Sequence, residues 1–436
     1  MGLRRLTGEA KVLYNDFIFK KCYTYTTDTT EEDPNIETMI NAKMLELGEN
    51  SSEIRDLYEY GNKRKAEIGE DKVMDFSLGN PNVPCPERVT RSFIHLLEET
   101  EPAALHGYTS APGYMEVRKA VSEYVNERYG IECEPSDFYM TAGAAASLAI
   151  ALKSVCNEGN EVIVFAPYFP EYRVFIENAG GVAKEVPVRT EDFQPDFHAL
   201  KKALGPETAA VIVNSPNNPT GAVLTEESLK ELAQVLDHAQ ARFGNEIILI
   251  SDEPYRELVY DGIKLALPAH YYDNTIVCYS WSKSLSMPGE RIGYIMVSPK
   301  AKHRQKIFSA VCGSGRSLGY VCAPALMQYV TAMNLGVTSD LEEYAKNRQL
   351  IYDIVTGCGF EAARPDGAFY LFVKSPSGDG KEFSERAKKY ELLLVPSDSF
   401  GIEGYVRISY CVSREQIERS EEAFRALAAD YGLADN

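Results

Sequence analysis

The chain has 436 residues, 44% hydrophobic and 25% charged, with a formal net charge of −19. That length allows two or three domains, the composition suits a soluble globular protein, and the acidic balance argues against nucleic acid or an anionic membrane as partner. No apolar run reaches the ~18 residues of a membrane span, and nine cysteines without a C-x-x-C pair indicate neither zinc site nor disulfide framework and suit a reducing cytoplasm.

Residues 1–50 read as a flexible extension. Positions 23–34 are polar with no periodic burial pattern, and Met39 and Met44 could serve as alternative starts. Ser51-Ser52-Glu53 marks a helix N-terminus and opens 51–94, the first part of a smaller α+β domain. From 95 to 328 helix and strand alternate in a larger domain. A helix over 115–129 ends at Gly130. A strand over 138–141 precedes an apolar helix over 144–155. The strand 161–165, the helix 171–178 and the strands 182–188 and 209–214 follow. A helix over 226–243, capped by Thr225, leads to strands at 247–251, 275–280 and 292–297. Short β-branched runs between helices predict an α/β fold with a mostly parallel sheet flanked by helices. Over 329–436 the pattern turns to helices at 341–357 and 413–431 with strands at 368–372 and 405–410, completing the smaller domain.

The reactive side chains fall at the C-terminal ends of the expected strands, the edge where open α/β sheets bind ligands. Gly143 follows one strand, Tyr168 and Phe169 another, and Asn218 a third; Asp252 and Lys283 follow two more. Lys283 lies in Ser280-Trp281-Ser282-Lys283, with Arg291 downstream. A desolvated amine near an arginine has a lowered pKa and suits Schiff-base chemistry. Ser280, Ser282 and the bidentate fork of Arg291 can hold a phosphate. Asp252 is either a turn cap or a carboxylate that keeps a pyridine nitrogen protonated. Tyr255 and Asn218 can donate to a phenolate oxygen, although Asn217-Asn218-Pro219-Thr220-Gly221 alone is a turn signal. Backbone N–H groups at Ala144 and Ala145, opening a helix after Gly143, make an anion site, though such starts usually only pack. Phe169 is a core aromatic or a platform for a ring. Arg407, on an apolar strand, needs a buried anion, either an internal acid or a substrate α-carboxylate. Together these groups can hold a phosphorylated pyridine aldehyde and use it as an electron sink, so the chain reads as a pyridoxal-phosphate (PLP) enzyme with no metal site.

These runs resemble the class I aminotransferases of PLP fold type I, the aspartate-aminotransferase superfamily, over residues 51–430. The motifs are N-N-P-T-G at 217–221, S-D-E-x-Y at 251–255, S-x-S-K at 280–283, R-I-G at 291–293, P-x-G-A-F-Y at 365–370 and the late arginine. The resemblance implies that Lys283 forms the Schiff base, that Asp252 pairs with the pyridine nitrogen and that Tyr255 and Asn218 bind the phenolate oxygen. It further implies that Arg291 binds the phosphate, Arg407 the α-carboxylate, and that Phe169 stacks on the ring. Tyr108, in His106-Gly107-Tyr108-Thr109, matches the tyrosine that reaches the neighbouring subunit's phosphate in a homodimer with shared sites. Gly79 matches a glycine over the substrate. Arg316 stands near the place where members that take dicarboxylic acids carry an arginine given by the other subunit; a surface arginine is the alternative. Ala144 and Ala145 depart from the family, which often has a hydroxyl there, and the N-terminal stretch is longer than the usual arm. The implied reaction is a ping-pong, Schiff-base transfer of an amino group from an L-amino acid, aspartate or glutamate, to a 2-oxo acid. A β-eliminating C–S lyase would use the same groups. A PLP-domain metabolite-sensing regulator would need a DNA-binding module, and residues 1–50 show no helix-turn-helix pattern.

Overall fold

Helix α1 (Ala42–Glu49) starts where the Asn41 side chain accepts from the Lys43 amide at 3.1 Å. The computed structural model describes residues 40–49 and 52–433. The chain divides at Ser51/Ser52 into two units, and α1 is the described part of the first. The polar run 23–34 and Met39 lie outside the described residues, whereas 42–49 is helical where the sequence suggested only an extension.

The second unit begins with α2 (Glu53–Ile68), capped by the Ser52 hydroxyl as its sequence predicts. Then come β1 (Met74–Asp75), α3 (Glu87–Glu99), α4 (Pro102–His106), α5 (Met115–Tyr129), β2 (Phe138–Thr141), α6 (Ala144–Val155), β3 (Glu161–Ala166), α7 (Glu171–Ala179) and β4 (Val182–Pro187). They are followed by α8 (Phe197–Ala203), β5 (Thr208–Asn214), α9 (Glu226–Phe243), β6 (Ile248–Asp252), β7 (Thr275–Ser280) and β8 (Gly293–Val297). The chain ends with α10 (Arg304–Ser317), α11 (Ala325–Met333), α12 (Leu341–Gly357), β9 (Tyr370–Lys374), α13 (Gly380–Lys388), β10 (Leu392–Leu393), β11 (Val395–Pro396), β12 (Tyr405–Ser409) and α14 (Arg414–Asp430).

Seven strands form one sheet in the order β2-β8-β7-β6-β5-β3-β4. Neighbours are parallel except β8, which runs antiparallel to both β2 and β7. The other six strands therefore point the same way. Alternation along them explains the two covered faces. Val162, Val164, Ile212, Ile250, Ile276 and Ile295 pack with Leu148, Ile176 and Val311 of α6, α7 and α10. Their sequence neighbours Ile163, Val211 and Leu249 pack on the opposite side with α8 and α9. Val277 and Met296 do so with α3, α5 and α11. Each fully buried aliphatic side chain contributes roughly 1.5–3 kcal/mol.

A second group of elements joins the two ends of this unit. β1 pairs with β10, and β9, β12 and β11 form an antiparallel sheet. α12 and α14 cover its core, which includes Phe76, Phe369 and Phe424. The strand expected at 368–372 is β9, and it starts later. Ala368 takes a left-handed φ of 55°, its amide donates to the Leu258 carbonyl and its own carbonyl accepts from the Tyr260 and Tyr410 hydroxyls, so the paired strand begins at Tyr370.

Candidate active site

Five segments leave the same sheet edge and meet there. β7 ends at Ser280 and β8 returns antiparallel, with Ser280 opposite Gly293, so the intervening loop holds Lys283 and Arg291 together. β6 delivers Asp252, the loop after β5 delivers Asn218, and the loops after β2 and β3 deliver Ala144, Ala145 and Phe169. Arg407 enters from β12 and Tyr370 from the start of β9. These residues line one cavity of about 260 Å³ with Gly79, Leu78, Ile54, Tyr255, Ser280 and Ser282.

Asp252 is 4% exposed, and its Oδ2 accepts from the Tyr172 hydroxyl at 2.6 Å. Its Oδ1 is buried with no partner among the described residues. Burial pushes the carboxyl up to about 7, against the pull of the Tyr172 hydrogen bond. Lys283 donates to the Gly79 carbonyl at 2.6 Å. Loss of hydration lowers its amine to about 8; the Cys411 thiol opposes this, and Arg407 and Arg291 add to it.

Arg407 is 2% exposed and donates to Asn218 Oδ1 at 3.0 Å and to the Ser77 carbonyl at 2.6 Å. Its Nε has no partner, and no acidic side chain pairs with it among the described residues. The internal acid considered from sequence is thus absent there. Because Asn218 accepts through Oδ1, its Nδ2 is the group left to donate. Tyr255 and Tyr370 share a hydrogen bond between their hydroxyls at 2.7 Å. Phe169 is half-buried, with its ring edge-on to Tyr172.

The phosphate-sized end has a cradle. α6 starts at Gly143, which has φ 87° and offers no side-chain cap, leaving the first backbone N–H groups of the helix free to bind an anion. A Cβ on Gly143 would stand 2.8 Å from an Arg291 guanidinium nitrogen. Ser280 donates to Ser282 at 3.1 Å beside them. An anion cradle, an orphaned carboxylate oxygen and a desolvated amine around one cavity fit PLP.

Two expected residues lie elsewhere. Tyr108 is 98% exposed and absent from the cavity lining, and Arg316 is an exposed residue near the end of α10. Tyr172, Tyr370 and Asn214, whose Nδ2 donates to the Asp252 carbonyl, were not picked out from sequence. Tyr370 closes the P-x-G-A-F-Y run and could have been found there. Tyr172 and Asn214 reach the site only through the juxtaposition of strands.

The fold and this cavity define the class as a fold type I PLP enzyme. The family model for aminotransferase class I and II matches residues 71–424, and the chain belongs to that family; it is a PLP-dependent aminotransferase. It is 32% identical over 397 residues to a probable aspartate/prephenate aminotransferase of Thermus aquaticus, covering 90% of this chain and 96% of that one. It is 30% identical over 402 residues to aromatic-amino-acid aminotransferase 2 of Thermococcus litoralis, covering 88% and 97%. An aminotransferase structure from Eubacterium rectale superposes with a TM-score of 0.88 at 48% identity, covering 90% of this chain and 99% of that one. Among the described residues no helix is long and apolar enough to cross a membrane.

Proposed function

We propose that the enzyme moves an amino group from an L-amino acid, aspartate or glutamate, to a 2-oxo acid in two half-reactions at one site. The observation that carries this reading is the pairing, in one cavity, of an orphaned Asp252 oxygen with a buried Arg407 that has no acidic partner among the described residues. PLP supplies an electrophilic aldehyde carbon and an electron-accepting ring.

Arg291, Ser280, Ser282 and the N–H groups of Ala144 and Ala145 hold the phosphate. Asp252 Oδ1 keeps the ring nitrogen protonated, while Tyr255 and Asn218 donate to the phenolate oxygen and Phe169 packs on the ring. Arg407 binds the substrate α-carboxylate under Gly79. Lys283 Nζ takes the Cα proton and returns it on the other side of the transfer. The first product leaves before the second substrate enters, which gives ping-pong kinetics. A homodimer completes the site, with Tyr108 of one copy reaching the other's phosphate and Arg316 meeting the distal carboxylate of the substrate. The exposure of both residues supports this reading.

A panel of amino donors with 2-oxoglutarate tests it. Glutamate formation, fastest with aspartate, is expected. Pyruvate release from cystathionine without transamination would replace this reading by the C–S lyase.

A further inference from the structure

Two phenols 2.7 Å apart share one proton between them, so only one hydroxyl proton of the Tyr255–Tyr370 pair remains for the cavity. Which phenol keeps it depends on the surroundings. The Arg407 guanidinium lies over the Tyr370 ring, 4.7 Å from its centroid. Arg407 eases proton release from both phenols, and at Tyr255 the Asp252 carboxylate opposes it. The Cys411 thiol is the other titratable group facing Tyr370. Burial raises both phenols; with the Arg407 guanidinium lying over the Tyr370 ring and the Asp252 carboxylate near Tyr255, Tyr370 is the phenol whose proton goes into the shared bond.

The backbone around Tyr370 holds it still. The Ala368 carbonyl is clamped by two tyrosine hydroxyls. The Gly221 carbonyl, in the loop that also holds Asn218, accepts from the Asp366 and Gly367 amides. Gly79 passes so close that a Cβ there would strike the Tyr370 hydroxyl. The phenol is thus enclosed by Gly79, Tyr255 and Arg407.

We infer that Tyr370 is a positioning residue: its hydroxyl donates to Tyr255, so that Tyr255 points its own proton at the phenolate oxygen of the cofactor, while its ring supports Arg407. One side chain thereby sets both the cofactor end and the substrate-carboxylate end of the site. The inference rests on the role proposed above for Tyr255.

The test is a pH titration of the cofactor absorbance band in the loaded enzyme and in its Tyr370→Phe, Tyr255→Phe and double variants. Loss of a donor to the phenolate raises the pKa of the band. Tyr370→Phe should raise it by about half a unit to one unit, the size of one hydrogen bond. The double variant should titrate like Tyr255→Phe alone, because Tyr370 acts through Tyr255. KM for the amino donor should hold at the wild-type value in Tyr370→Phe, since the ring over Arg407 remains. Fluorotyrosine at 370, a stronger donor of nearly the same shape, should move the band the opposite way, and it serves if Tyr370→Phe folds poorly. A band that ignores both substitutions, or shifts that simply add in the double variant, would overturn the inference. A wild-type protein with no cofactor band would instead overturn the site itself.

Discussion

Tyr172 donates to Asp252 Oδ2 at 2.6 Å and so turns the carboxylate, leaving Oδ1 as its one orphaned oxygen. Desolvation alone would favour the neutral acid; the tyrosine is the group that opposes it. Tyr172→Phe should therefore weaken the hold of Asp252 on the ring-nitrogen proton. A hydrogen bond to a charged group is worth about 1.5–3 kcal/mol, so Cα-proton exchange should slow by about 10- to 100-fold. Asp252→Asn should slow it more, by about 10²–10³. Exchange at the wild-type rate in Asp252→Asn would leave the aspartate a turn cap.

The lowered Lys283 amine gives a pH signature. PLP capture needs the neutral amine, so loading of cofactor-free protein should speed up as pH rises, with a midpoint near the value of about 8 rather than the ordinary 10.5. Between those values the unfolded chain holds a proton at this position that the folded chain has released. Stability of the cofactor-free protein should rise with pH across that window, and Lys283→Met should flatten the rise. Stopped-flow loading and denaturant titrations at several pH values read both effects.

Gly143 owes its place to φ 87° and to the close guanidinium of Arg291. Gly143→Ala would strain the turn and push Arg291 off the cradle. PLP affinity, measured by titrating cofactor-free protein, should fall by about tenfold or more. Unchanged affinity would remove Arg291 from the phosphate site.

Tyr108 is too exposed to serve its own chain's cavity. Mixing a Lys283→Ala parent with a Tyr108→Phe/Arg316→Ala parent should restore activity in the heterodimer, where one shared site is intact. Full activity in a verified monomer is the outcome that rules this out.

Arg316→Ala should lower kcat/KM for aspartate by about 30-fold or more, because the second carboxylate would be buried unpaired at about 2–5 kcal/mol. Alanine should be nearly unaffected. Equal losses for both donors would make Arg316 a structural residue.

The sequence by itself determined the class of the enzyme. Lys283, Asp252, Asn218, Tyr255 and Arg291 sit in short runs whose residue types and order are tied to one cofactor, and they follow short β-branched runs whose C-terminal ends make one sheet edge. What only the tertiary structure decided lies between segments far apart in the chain. β9 starts late where Ala368 turns left-handed and bonds to Leu258, Tyr260 and Tyr410, contacts no local pattern encodes. The lack of an acidic partner for Arg407 among the described residues, the orientation of Asn218 and the bonds of Tyr172 and Tyr370 likewise depend on which side chains burial brings within hydrogen-bond reach. Periodicity reports which face a residue turns inward; it does not report who stands opposite, and at this site the opposite residue sets the charge.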